Sequence, residues 1–259
     1  MTYDLFGDDI AAEEARRLSP ERTQRPPSTR KNGTAGTVAT GSPSEGQESF
    51  QAQASNELPA LVAIYADESC LGNGREGDNP GGAGGMVEMV DPSTGGLQRL
   101  DYWVSEPATT NNRMALRSVI EAFGELSGME RPFHVVFTSD SKYIVEGMRS
   151  WVAGWIKRGW RRQGGAIENL ALWKQAVTAV SAHECQWNWV RGHHGQPQNE
   201  YANHLATRAA AEQSNSAGLR PSEFDSWLAE WRTKSNGSRE MSPFPDPVTF
   251  KPSPRAWTI

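Results

Sequence analysis

Residues 61–73 read Leu61-Val62-Ala63-Ile64-Tyr65-Ala66-Asp67-Glu68-Ser69-Cys70-Leu71-Gly72-Asn73. An apolar run that ends in acidic residues and a Gly/Asn turn predicts a strand at residues 61–69. Because successive strand side chains point to opposite faces, Asp67 should share a face with Tyr65. An ionised carboxylate beside a buried strand is costly unless a cation or a donor meets it. Alone, Asp67 fits a turn former better than a functional residue, so the rest of the chain must decide.

The composition is typical of a cytoplasmic protein without a disulfide framework. A net charge of −5 over 259 residues leaves only a local basic patch for contact with nucleic acid. The two cysteines, Cys70 and Cys185, fit a reducing compartment. No apolar run has the length of a membrane span, and the acidic N-terminus lacks the features of a signal peptide. We expect a cytoplasmic monomer that does not bind membranes.

Composition divides the chain into three parts. Residues 1–57 form a mostly disordered extension, because residues 19–57 hold few large apolar side chains. Within it, Asp4-Leu5-Phe6 resembles peptides that dock on bacterial sliding clamps, but the leading Gln is absent and a solvated tail that binds nothing fits better. Residues 58–213 form one α/β domain. Residues 214–259 should form a short helix at 221–231, docked on the domain, and a loosely ordered Pro-rich tail.

The α/β domain shows three strand patterns, a helix, a strand, two helices, a strand and a helix. Short strands joined by Gly/Pro turns predict an antiparallel meander, with a Gly-rich loop at residues 72–85. The helical period appears in the first helix, which Thr109, Thr110 or Asn111 can cap. The predicted elements are strands at 61–69, 85–90, 97–104, 134–138 and 185–190, and helices following residue 111 and at 142–148, 167–181 and 199–212.

Five motifs in this domain occur in the order found in one enzyme family. They are Asp67-Glu68-Ser69-Cys70-Leu71-Gly72-Asn73, Thr109-Thr110-Asn111-Asn112-Arg113-Met114, Thr138-Ser139-Asp140-Ser141-Lys142-Tyr143, Trp151 with Trp155-Ile156-Lys157-Arg158-Gly159-Trp160, and Trp187-Asn188-Trp189-Val190-Arg191-Gly192-His193-His194-Gly195 with Asn199-Glu200. Each motif is weak alone, but together they are specific. From Tyr65 to about Ala211 the chain resembles bacterial type-one ribonuclease H. The resemblance implies a ribonuclease H-like α/β fold, with a five-stranded mixed sheet of three antiparallel strands and then two parallel ones, flanked by helices.

The resemblance also implies a chemistry, which is endonucleolytic hydrolysis of the RNA strand of an RNA/DNA hybrid. The family uses two divalent ions, normally Mg²⁺ with Mn²⁺ as an alternative, held by four carboxylates. Asp67 and Asp140 match the first and third carboxylates. The second position is Ala115, which offers no ligand atom. The fourth is Asn203, which keeps an oxygen that can coordinate a metal but lacks the charge.

Three other acids could replace the missing carboxylates. Strand alternation points Glu68 away from the cluster, unless the turn begins there, and Glu121 lies off the face of Ala115 on its helix. Glu200 precedes Asn203 by three residues and is near enough to lie on the same side. We expect none of the three to replace a missing carboxylate, although Glu68 is the best placed. We therefore expect two carboxylates and weakened cleavage. The alternative is a hybrid-binding protein of the same fold that does not cut, either by natural loss or because Glu→Ala and Asp→Asn changes were engineered.

The resemblance implies substrate contacts as well. Asn73, Asn111 and Asn112 match residues that reach the minor groove of the hybrid, where the 2′-hydroxyl marks RNA, although such residues also form turns and caps. His193 matches a histidine that assists proton transfer or product release, or it is an ordinary loop histidine. A basic run with interleaved tryptophans resembles the protrusion that grips the DNA strand, with a solvated helix face as the alternative; its residues are Trp155, Lys157, Arg158, Trp160, Arg161 and Arg162.

Overall fold

The computed structural model describes residues 59–72, 79–192, 194–235 and 240–254. These residues belong to one unit, Ser55–Ile259. The disordered extension and the clamp-like peptide Asp4-Leu5-Phe6 predicted for residues 1–57 lie outside the described residues. Among the helices in the described ranges, none has an apolar run that is long enough to cross a membrane.

A mixed sheet of six strands, in the order β5-β4-β1-β2-β3-β6, forms the centre of the domain. β1, β2 and β3 pair in antiparallel fashion, whereas β4 and β5 extend the sheet in parallel from β1. This confirms the predicted mixed sheet, to which a two-residue sixth strand is added beside β3. The strands are β1 Ala60–Cys70, β2 Gly81–Val90, β3 Leu97–Glu106, β4 Phe133–Ser139, β5 Glu184–Trp189 and β6 Arg220–Pro221.

Six α-helices surround the sheet. The first, α1, is capped by Thr110, whose hydroxyl accepts a hydrogen bond from the Arg113 amide at 3.3 Å. The helix predicted at 142–148 continues further, through a π-helical turn at Gly147–Trp151 into α3. The helices are α1 Asn111–Ser127, α2 Lys142–Glu146, α3 Val152–Lys157, α4 Leu170–Val180, α5 Pro197–Glu212 and α6 Phe224–Ser235.

The two faces of β1 belong to two different cores. Val62, Ile64 and Ala66 pack with α1 and α4 in the larger core. Ala63 and Tyr65 point the other way, toward α5 and α6. This alternation places Asp67 on the α5 side and Glu68 on the α1 side at the end of the strand.

The first half of β2 differs from the sequence-based expectation, because Gly81–Gly85 lies within the sheet and not in the predicted glycine-rich loop. The reason is the close approach of α5. A Cβ at Gly82 would overlap the carbonyl of Ala206, and one at Gly84 would overlap the side chain of Leu205. Glycine therefore allows the helix backbone to lie directly on the strand.

The C-terminal segment also differs from expectation. Residues 240–254 pack along the outer strand β5, where we expected a loosely ordered tail. The Ser253 amide donates to the Cys185 carbonyl at 2.8 Å, and Phe250 stacks on His134 with ring centroids 4.5 Å apart. Individual anchoring contacts spaced along an irregular segment produce no periodic sequence signal. The preceding helix α6 buries Phe224 in the smaller core.

The contact between α5 and β2 generates a stability prediction. We expect Gly82→Ala to destabilise the protein by roughly 2–3 kcal/mol, because the added methyl group meets helix backbone that cannot move aside. The control is Gly124→Ala at an exposed position of helix α1, where nothing lies within 4 Å of the new methyl group. That control should stabilise the protein by about 0.5–1 kcal/mol. Urea denaturation measures both; equal effects of the two changes would contradict the packing argument.

Candidate active site

Parallel pairing of β1 with β4 brings two of the predicted carboxylates to one edge of the sheet. Ala66 pairs with Ser139, so Asp67 and Asp140 each follow directly after a paired position. Asp67 is buried at the end of β1, and Asp140 is half-buried after β4. The two aspartates predicted to meet do meet.

A third carboxylate joins them. Glu68 offers an oxygen that, with one oxygen each from Asp67 and Asp140, forms a group whose members all lie within 4.8 Å of one another. We expected Glu68 to point away, and this expectation is wrong. Alternation fixes only the direction of the Cα–Cβ bond, whereas three further torsions let a glutamate at a strand end reach around the edge. The site therefore holds three carboxylates and not two.

The small side chain of Ala115 leaves room for Glu68 on the α1 side of the strand end. Ala115 is 1% exposed and belongs to the same core cluster as Ala66, which precedes Glu68 by one strand repeat. A glutamate at position 115 would add a carboxylate on this side. Because Ala115 carries only a methyl group, the α1 side of the strand end is left for the Glu68 side chain.

Mutual repulsion and burial control the protonation of these acids. The pKa of Asp67 is raised to about 9, first by burial and then by the charges of Asp140 and Glu68. The Glu68 amide, which donates to Asp67 Oδ1 at 2.7 Å, lowers this pKa in part. Burial and Asp140 raise the pKa of Glu68 to about 8, and the Ser141 hydroxyl acts in the opposite direction. Such shifts show that negative charge is held here at a cost which a bound cation would remove.

Two residues, Trp189 at the end of β5 and Gly192 in the loop that follows, fix Asp140. The Trp189 indole N–H donates to the backbone carbonyl of Asp140 at 2.9 Å. A Cβ at Gly192 would overlap the Asp140 carboxylate, so only glycine allows this approach. Sequence analysis missed the role of Gly192, because a glycine in a loop gives no sign of what lies against it.

Helix α5 forms the other side of the cluster. The charge of Glu200 contributes to the raised pKa of Asp67, which shows that the first turn of α5 lies near β1. The Glu200 carboxylate accepts a hydrogen bond from the Gly195 amide at 3.0 Å. Asn203 is half-buried one turn later on the same helix. The predicted residues His193 and Asn73 lie outside the described residues.

The predicted minor-groove residues open α1. Asn111 and Asn112 are half-buried in its first turn. The Asn111 Oδ1 atom is buried and has no hydrogen-bond partner among the residues that the structure describes. Thr110, and not Asn111, is the N-cap, which leaves the Asn111 side chain available for another partner.

The basic run divides into a buried part and an exposed part. Trp155 is only 7% exposed and packs edge-on against Trp173, so its ring cannot stack on a base. Trp160 is half-buried beneath the Lys174 ammonium group. The buried position of Trp155 corrects the expectation that this ring is part of the surface that contacts the substrate. The four cations are exposed, at Lys157, Arg158, Arg161 and Arg162.

Comparison with known proteins gives consistent matches. The RNase H family model matches residues 59–211. Ribonuclease H of Alcanivorax borkumensis is 39% identical over 158 residues, covering 61% of this chain and 96% of that relative. Ribonuclease H of Stutzerimonas stutzeri is 40% identical over 152 residues, covering 58% and 92%. The crystal structure of LC9-RNase H1, described as a type 1 RNase H with the type 2 active-site motif, is 58% identical with a TM-score of 0.72, covering 77% of this chain and 95% of that one.

The raised pKa values predict how metal binding depends on pH. Below about pH 8 both Asp67 and Glu68 hold protons that a cation must displace, so Mn²⁺ affinity should rise by up to about a hundredfold per pH unit between about pH 6 and pH 8. Calorimetric titration at several pH values measures this slope. Glu68→Gln leaves only the proton of Asp67 to displace and should show a shallower slope, of about tenfold per pH unit. The same Mn²⁺ affinity throughout this range would contradict the assignment.

Proposed function

This chain belongs to the type 1 ribonuclease H family, and we propose that it cleaves the RNA strand of RNA/DNA hybrids with a carboxylate set of its own. The observation that carries the proposal is the third carboxylate. Asp67, Glu68 and Asp140 offer oxygens within 4.8 Å of one another, although Ala115 occupies the position of the usual glutamate.

A relative supports such an altered set. LC9-RNase H1 is described as a type 1 RNase H with the type 2 active-site motif, so an unusual active-site motif occurs in a protein 58% identical to this chain. In this chain the altered feature is an acid that comes from the strand directly after Asp67. On this view Ala115 and Glu68 are one change: the negative charge moves from α1 to β1.

The donor set fits divalent metal ions. Three carboxylates provide the hard oxygen ligands that Mg²⁺ or Mn²⁺ prefers, and the pKa values of two of them, Asp67 and Glu68, are raised. Bound ions would supply Lewis-acid stabilisation of the scissile phosphate and an activated water. Asp67, Glu68 and Asp140 would hold the ions, and the Asn203 side-chain oxygen is a further ligand at the α5 side.

Other residues would hold the substrate and move protons. The Asn111 Oδ1 atom, which has no partner among the described residues, can accept a hydrogen bond from a 2′-hydroxyl in the minor groove of the hybrid, beside Asn112. Lys157, Arg158, Arg161 and Arg162 are exposed for phosphate contacts. His193 follows Gly192, which touches Asp140, so it is the candidate for proton transfer or product release.

Substitution of Glu68 tests the carboxylate set. Glu68→Gln removes one negative charge with little change in shape, and we expect cleavage of a labelled RNA/DNA hybrid in Mg²⁺ to fall by about 10²–10³. The matched control is Glu121→Gln, which removes a half-buried glutamate from α1 and should leave the rate within about twofold.

A charge-relocation variant separates the alternatives. Glu68→Gln combined with Ala115→Glu should recover part of the lost activity, because the second change returns a carboxylate to the helix. Full activity of Glu68→Gln alone would show that Glu68 is not part of the catalytic set. Binding of the hybrid without cleavage by the wild type would favour the hybrid-binding protein instead.

The basic loop makes a second prediction. Replacing Arg161 and Arg162 together by Gln should weaken hybrid binding and reduce the slope of log affinity against log salt by about 1–2, since each lost phosphate contact contributes somewhat less than one unit. Arg232→Gln, an exposed arginine on α6, is the control and should keep the wild-type slope. Fluorescence anisotropy over a salt series measures this; an unchanged slope in the double variant would exclude the loop from phosphate contact.

A further inference from the structure

An open groove of about 770 Å³ lies on the α5 side of the sheet, over β4 and β5. Helix α5 packs mainly on β1, β2 and β3, and the groove opens beside it over β4 and β5. The floor includes Thr138 and Asn188, which are paired neighbours on β4 and β5. The opposite wall comes from the C-terminal segment, between Ser242 and Phe250. The groove therefore exists because this segment crosses β5.

One end of the groove adjoins the carboxylates. Trp189 lines the groove, and its indole donates to the Asp140 carbonyl at 2.9 Å. Lys142, two residues after Asp140, also lines the groove and holds its ammonium group 4.8 Å from the Trp189 ring centroid. An RNA strand with a phosphate at Asp140 therefore has its neighbouring nucleotides near this end of the groove.

The lining groups suit a nucleotide. Trp189 is 40% exposed and can stack on a base, while Lys142 and Arg149 can meet a phosphate. Asn188 accepts from Gln186 Nε2 at 3.2 Å and keeps its amide N–H groups for a base edge. Gln196 donates to Ser242 Oγ at 2.7 Å, and its Oε1 atom is buried without a partner among the described residues.

The charge and size of the groove limit its occupant. Glu146 and Asp246 also line it, so its cations are balanced and the groove is not built for a long polyanion. Its volume is that of a small-ligand site and is too small for a duplex. An unpaired base with one phosphate matches both limits.

We propose that this groove binds one or two unpaired nucleotides of the RNA strand, where that strand continues beyond the paired region of the hybrid. The site makes the protein favour hybrids that end in an RNA overhang or junction. This rests on the proposed function, because the RNA strand is the one placed at Asp140.

The test compares two substrates without divalent ions, so that neither is cleaved. One is a blunt RNA/DNA hybrid, and the other carries two unpaired RNA nucleotides, placed in turn at the 5′ and the 3′ end. An overhang at one of the two ends should tighten binding about tenfold in an anisotropy assay, the effect of about one stacked base. Asn188→Leu with Arg149→Gln should remove that gain and bind the blunt hybrid as the wild type does. Arg232→Gln on α6 should retain the gain.

Crosslinking of the wild type provides a measurement that does not depend on how a variant folds. A 4-thiouridine at the first unpaired position should crosslink to the peptide containing Trp189 or to the C-terminal segment. Crosslinks confined to residues 157–162, or equal affinity for blunt and overhanging hybrids, would overturn the groove assignment and leave the proposed function intact. Failure to bind even the blunt hybrid would contradict the proposed function itself.

Discussion

Repulsion among carboxylates held at the end of two parallel strands is the constraint on which this site depends. Charges about 4 Å apart repel by roughly 4 kcal/mol at the effective dielectric of a protein surface. β1 resists this force because it is paired on both sides, with β2 and with β4. Trp189 at the end of β5 and Gly192 in the loop that follows hold Asp140. The cluster thus has a rigid frame, and the raised pKa values of Asp67 and Glu68 record the cost of keeping it together.

The third acid reaches the cluster from β1, whereas the position on α1 that matches the family's second carboxylate is Ala115. An acid on α1 and an acid at the end of β1 approach the same edge from different sides. With Ala115 on the helix, α1 packs closely on the sheet through small side chains at that point. With Glu68 on the strand, the cluster still contains three carboxylates. On the proposed function, the first turn of α1 keeps Asn111 and Asn112 for contact with the substrate.

Close backbone contact over one half of the α5 side of the sheet, and an open groove over the other half, shape the rest of the surface. Gly82 and Gly84 let α5 lie against β2, which brings Glu200 near Asp67. On the same side of the sheet, the C-terminal segment crosses β5 at a distance that leaves a groove over β4 and β5. The same sheet therefore presents a tightly covered half beside the carboxylates and an open half next to them.

The sequence by itself determined the elements and their order, because strand alternation and helical period are local signals. The mixed sheet and the meeting of Asp67 with Asp140 followed from the five motifs and the resemblance to ribonuclease H that they carry. It also indicated the exposed cations after Ile156. Tertiary structure alone decided that Glu68 joins the cluster, that Trp155 is buried, and that residues 240–254 pack on β5. Each of these depends on where a flexible side chain or an irregular segment finds space among distant neighbours. Periodicity predicts the direction of the Cα–Cβ bond, whereas packing against distant neighbours decides the final position of the side chain.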